Sequence, residues 1–203
     1  MNRLILFLFV LCLPSVCMAD DCLSYKTNPI VHIKTPSLAK EVVQPLQPMD
    51  LLHGNVMATL VENYEITGDT TSIEDGFCIS LKSVMGIIGY SDFMVHIDSR
   101  HTPGSCTYNA IVTHEDEHIR AYLSVIDDYH DEIRNAVFSA ANSVIPVFVK
   151  NESDINGAMD ILNEKLQSHP ELILMKQRIA AEQEIRNKRV DQVETGAHLK
   201  QCF

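Results

Sequence analysis

Ser105-Cys106-Thr107-Tyr108-Asn109-Ala110-Ile111-Val112-Thr113-His114-Glu115-Asp116-Glu117-His118 is the stretch on which the reading of this chain turns. Ile111, His114, His118, Tyr122, Val125, Tyr129 and Ile133 recur at steps of three and four residues. Side chains at that spacing share one face of an α-helix. Thr102-Pro103-Gly104-Ser105 supplies an early proline and a hydroxyl cap, so the helix is expected to begin there. It is expected to run to about Ser143 and to stop before Pro146, whose ring cannot continue it.

Downstream, Glu152-Ser153-Asp154 can cap a second helical region. Its apolar positions are Ile161, Leu162, Leu166, Leu172, Ile173, Ile179 and Ile185, and Ser168-His169-Pro170 is expected to break it in two. Upstream the pattern changes. Pro29 to Ile33 reads as a short strand, and Lys34 to Pro48, with its three prolines, as an irregular connection. Val56 to Ile66 reads as a strand closed by Thr67-Gly68-Asp69. Phe77, Ile79 and Leu81 alternate with polar or small neighbours, Gly86 and Gly89 interrupt, and Phe93, Val95 and Ile97 alternate again. Period-two alternation is the mark of a half-buried strand. The expectation is an α+β fold: a small antiparallel β-sheet of three or four strands over residues 20–104, then the long helix and a C-terminal helical hairpin over 105–203.

The first residues stand apart. Asn2 and Arg3 precede an apolar run from Leu4 to Leu13, and Cys17-Met18-Ala19 offers small side chains where a signal peptidase reads. This predicts a cleaved export signal over residues 1–19 and a single domain over 20–203. The apolar run is too short for a permanent span, so no stable membrane insertion is expected after cleavage. Cys22, Cys78, Cys106 and Cys202 then remain. An even number in an exported chain suggests two disulfides. Of the three pairings, Cys22–Cys78 with Cys106–Cys202 is favoured. The formal net charge of −11 argues against a nucleic-acid partner, whose phosphates need Lys and Arg. Oligomeric state leaves no trace in the sequence.

His114 and His118 lie one helical turn apart and can direct imidazole nitrogens at one ion, Zn2+ by preference for such donors. Glu115 follows the first histidine and falls beside the ion rather than on it. A metal ion makes bound water acidic near pH 7, and a carboxylate so placed can take that proton and pass it to a leaving amine. A third protein ligand is needed. The continuation HxxGxxH is absent, since Ala121 and Ser124 stand where Gly and His would be. Asp191, Glu194 and His198 share one helical face near the chain end and supply candidates, Glu194 and Asp191 first. A simple hairpin of two straight helices turning near Val149 would instead bring Glu182 or Glu184 opposite His118. Tyr122 and Tyr129 read as core, while His96 and Asp98 read as a polar strand face. His32, His53, His101 and His169 show no partner by spacing.

From Phe93 to Cys202, a little over half the chain, the sequence resembles a family of predicted secreted bacterial zinc-dependent proteases, catalogued as a domain of unknown function. The likeness rests on Ser105-Cys106-Thr107-Tyr108 leading into His114-Glu115-Asp116-Glu117-His118, and on the late segment Asn187-Lys188-Arg189-Val190-Asp191-Gln192-Val193-Glu194. It implies a zincin-like arrangement with an edge strand, here Phe93 to Asp98, beside the motif helix and able to pair with an extended substrate.

The expected function is therefore a secreted or periplasmic zinc metallopeptidase acting on a peptide or protein substrate. His114 and His118, with Glu194 or Asp191, would bind the metal, and Glu115 would be the general base. The alternative is a non-catalytic secreted module, stapled by disulfides, that binds a partner or merely holds a metal ion.

Overall fold

A computed structural model describes residues 21–45, 53–194 and 202. The expected signal segment, residues 1–19, lies outside them, as does His198. In chain order the strands are β1 (Ile30–Lys34), β2 (Lys40–Val43), β3 (Gly54–Ile73), β4 (Gly76–Ile97) and β5 (Val147–Val149). The α-helices are α1 (Cys106–Asp128), α2 (His130–Ser143), α3 (Ile155–Gln167) and α4 (Pro170–Glu194).

The sheet is mixed, not antiparallel as the alternation suggested. β4 is its spine. β3 runs antiparallel along one whole side of it, from Ile73 opposite Gly76 to Gly54 opposite Ile97. Along the other side lie β5, β1 and β2, end to end; β5 is antiparallel, while β1 and β2 are parallel to β4. Alternation records which face a side chain takes and carries no strand direction. That depends on how the chain returns, which local pattern does not encode.

The register shows how β1 and β2 are related. Ile30 faces Ser83 and Lys40 faces Phe93, the same offset, so residues 30–43 follow β4 as one strand interrupted at its middle. The interruption holds Pro36, which has no N–H to give a ladder. Opposite it, Gly89 lies so close that an added Cβ would stand 2.8 Å from Pro36 Cδ, and Asp92 takes a φ of 52°. Hence β2 arises inside the segment expected to be irregular.

Two further boundaries differ from expectation. β3 passes straight through Thr67-Gly68-Asp69, with only a register irregularity between Thr67 and Gly68. The turn is the two-residue Glu74-Asp75 instead, followed by Gly76. β4 likewise runs through Gly86, paired with β1 and β3, and through Gly89, paired with β3 alone.

Beyond the sheet, Ser105 caps α1 as expected, its hydroxyl accepting from Tyr108 N–H at 3.2 Å. The helix breaks at Tyr129, and α2 then ends at Ser143, before Pro146. α3 and α4 are separated at Ser168-His169, with Pro170 as the first residue of α4, where its missing N–H costs nothing. α1, α2 and α3 pack on the sheet, and α4 lies along α1 and α2 rather than pairing with α3 as a hairpin. The reason is which faces are apolar. Ala158, Leu162 and Leu166 of α3 are buried, as are Leu172, Met175 and Ile179 of α4, in one core with Ile88, Phe93, Val95 and Val125. Disulfides join Cys22 to Cys78 and Cys106 to Cys202, with Cα atoms 5.5 and 5.6 Å apart. No described helix is long and apolar enough to cross a membrane.

Candidate metal centre

His114, Glu115 and His118 all sit on the protein-facing side of α1, with Glu115 and His118 only 4% and 8% exposed. The rings of His114 and His118 are perpendicular, and their Nε2 atoms face each other at 3.3 Å. From α4, Asp191 brings Oδ1 to 3.2 Å from His118 Nε2 and 3.6 Å from His114 Nε2. These three side chains offer donor atoms close enough together to hold one metal ion, and they form the one such group among the described residues.

The position of Asp191 follows from how α4 docks. Arg186, on α4, donates to Ser124 Oγ of α1 at 2.8 Å and pairs with Asp128 of α1 at 2.8 Å. Its Nε is held by Glu182 one turn back, at 2.9 Å. This clamp lies between the apolar contacts of Met175 and Ile179 and the site, and it sets the register of the two helices. Glu182 is thereby engaged by Arg186, and Glu184 is exposed beside Lys188. Neither reaches the histidines. The straight-hairpin estimate fails because β5 and α3 intervene between α2 and α4. Glu194 ends α4, and its side chain lies outside what the structure describes.

Glu115 lies where α1 meets the start of β3. The backbone N–H of Val56 donates to its carboxylate. A Cβ added to Gly54 would stand 2.5 Å from Ile111 Cγ2 and 2.7 Å from Glu115 Oε1, so glycine is required for this approach. Burial first, then the charges of Asp191 and Asp116, push the Glu115 carboxyl up to about 7, with Val56 N–H opposing. A carboxyl so poised can change protonation near neutral pH.

The strand expected as a free edge beside the motif helix does lie against it, but it is not an edge. Phe93 to His96 has β2 on one side and β3 on the other, so it is interior. β3 pairs with β4 alone among the described residues, and it is β3 that touches Glu115. β2 is fastened to the same helix by Lys40, which pairs with Asp116 inside the motif.

Several residues emerge that spacing did not reveal. Asn187 Oδ1 lies 3.2 Å from His118 Nδ1, and Gln183 donates to that same oxygen at 3.1 Å. The signal was present, since Gln183, Asn187 and Asp191 are spaced by four on one helix face. His53 and His101, which had no partner by spacing, meet with Nδ1 and Nε2 3.2 Å apart. Asp98, fully buried, accepts from Arg100 and is not an exposed strand residue. Tyr122 packs edge-on against Tyr90 and Phe93, as core. His130 stays outside the cluster, near Asp131.

No protein-family profile, no curated protein and no solved structure matches this chain.

Proposed function

We propose that this protein is a zinc-dependent peptidase working outside the cytoplasm, with His114, His118 and Asp191 as metal ligands and Glu115 as general base. The observation that carries this reading is the spacing of the three donor atoms. Ligands 2.0–2.1 Å from a tetrahedral zinc stand about 3.3–3.4 Å from one another. The three separations here are 3.2, 3.3 and 3.6 Å. Two neutral imidazoles and one carboxylate are donors of the kind catalytic zinc sites use, and three protein ligands leave a fourth position for water or substrate.

When bound, zinc supplies a Lewis acid that polarises a carbonyl and acidifies water near neutrality. Glu115 takes the proton released at the site. Burial makes its carboxyl hold that proton more readily than a carboxylate in water, and it returns the proton to the leaving amine. The side of β3 that has no strand partner among the described residues, beside Glu115, suits an extended peptide by adding a strand to the sheet. Export is supported by the two disulfides, which persist in oxidising compartments.

The test is elemental analysis of purified protein, followed by hydrolysis of unstructured peptides. About one zinc per chain, lost in His118→Ala, with hydrolysis abolished in Glu115→Ala, is the expected result. Zinc retained with no cleavage of varied peptides would leave a metal-holding module and end the peptidase reading.

A further inference from the structure

A histidine that binds metal through Nε2 must carry its proton on Nδ1. Neutral imidazole has one N–H, and the hydrogen bond at one nitrogen decides which nitrogen keeps it. Nothing in the motif helix itself makes that choice for His118. The choice is made from α4.

We propose that Asn187, oriented by Gln183, is a positioning residue that holds His118 in its metal-binding tautomer. Asn187 Oδ1 accepts the Nδ1 proton of His118 at 3.2 Å. The same oxygen accepts from Gln183 Nε2 at 3.1 Å. Two donors on one oxygen turn the carbonyl of the Asn187 amide, and not its NH2, towards the imidazole. His118 Nε2 is then left with its lone pair directed at His114 Nε2 and Asp191 Oδ1.

Gln183 gives an independent sign of this role. It is only 5% exposed, and its Oε1 has no hydrogen-bond partner among the described residues. A buried carbonyl without a partner is unfavourable, and an apolar side chain of the same length would avoid it. What an apolar side chain cannot do is donate to Asn187. Gln183, Asn187 and Asp191 thus place on one face of α4 a ligand, the group that orients a second ligand, and the group that orients that one. Outer partners of this kind tune metal affinity by roughly 10–100-fold.

The inference takes its purpose from the proposed metal site, but it can be tested without metal. Nitrogen-15 NMR of metal-free protein, at about pH 8 where imidazole is neutral, reads the His118 tautomer directly. In an Asp191→Ala background, where no carboxylate stands 3.2 Å from Nε2 to draw the proton there, the parent protein and Asn187→Asp, in which the new side chain can only accept, are expected to show His118 protonated on Nδ1. Asn187→Leu is expected to shift it towards the Nε2–H form. With Asp191 in place, chelator competition should then show zinc bound roughly 10–100-fold more weakly by Asn187→Leu and within about threefold of wild type by Asn187→Asp. Gln183→Met should raise the Tm of metal-free protein while weakening zinc severalfold, a split that a merely structural role would not produce. An unchanged tautomer in Asn187→Leu overturns the inference, and so does zinc affinity that stays constant while Tm falls. If Asn187→Leu does not fold, Gln183→Met decides: zinc affinity at the wild-type value overturns the inference, and severalfold weakening supports it. A wild-type protein that binds no zinc removes the metal-site reading, and the tautomer result then stands or falls on its own.

Discussion

Asp191 Oδ1 lies 3.2 Å from His118 Nε2, at the meeting of the C-terminal half of α4 with the middle of α1. Its side chain is 60% exposed, so the contact is the mouth of the cluster while the histidines form its floor. Removing this oxygen leaves two imidazoles, too few for a tight zinc site. Asp191→Ala is expected to weaken zinc by at least about 100-fold, at the top of the range that a supporting partner alone controls. Isothermal titration against a competing chelator measures it. An affinity within tenfold of wild type would assign the third ligand elsewhere.

Arg186 is the pin on which the Asp191 position depends. Its guanidinium reaches Ser124, Asp128 and Glu182, and its side chain is 20% exposed. Asp128 is 64% exposed, so solvent weakens that pair. Arg186→Ala is expected to cost about 1–2 kcal/mol, read from the urea midpoint, and to weaken zinc as α4 loosens. Arg186→Lys should recover little of either, since an ammonium lacks the planar fork that serves three partners.

Gly54→Ala tests the approach of β3 to the motif helix. The new methyl would meet Ile111 Cγ2 and Glu115 Oε1, both well inside van der Waals contact. Overpacking of this kind costs about 1–3 kcal/mol. The carboxyl of Glu115 must also swing away from Val56 N–H. Peptide hydrolysis should fall far more than zinc content, and the two assays run on one preparation separate these effects.

Glu115 makes the metal-free protein sensitive to pH in a defined direction. Its folded pKa is raised from 4.5 to about 7, so between those values the folded state holds more protons than the unfolded one. Stability from this group is therefore full below about pH 4.5 and declines as pH rises to about 7, by roughly 3 kcal/mol in total. In Glu115→Gln the contribution is absent. The variant's stability advantage over wild type, measured by denaturation of metal-free protein, should accordingly grow between pH 5 and pH 8. Parallel stability curves would mean that Glu115 is already paired in some other way.

The two disulfides should respond differently to reductant. Cys22 and Cys78 are 2% and 0% exposed, whereas Cys106 is exposed and Cys202 half-buried. Exchange requires access to sulfur. Mild reduction of folded protein is expected to free Cys106 and Cys202 first, as thiol alkylation and mass spectrometry would show. Simultaneous release of all four would indicate that the whole domain opens.

Much was legible in local sequence, and for a physical reason. Helix periodicity fixes which residues share a face, so Ile111, His114, His118 and Val125 declared α1 and its two histidines without any tertiary information. Ser105 declared its cap, and Pro170 declared the break before α4. The favoured cysteine pairs, Cys22 with Cys78 and Cys106 with Cys202, are those the structure joins.

Tertiary structure decided what local pattern cannot carry. Strand direction is one such matter, because alternation is the same for parallel and antiparallel neighbours, and β1 and β2 turned out parallel to β4. Strand length is another: the unbroken pairing with β3 carried β4 across Gly86 and Gly89, whose local preference is to interrupt. The third member of the candidate metal cluster is the last. Asp191, Glu182 and Glu184 are alike as isolated carboxylates, and the Arg186 clamp and the apolar face of α4 set which of these described side chains stands over His118. A helix determines its own faces, but its register against another helix is a property of the packed pair.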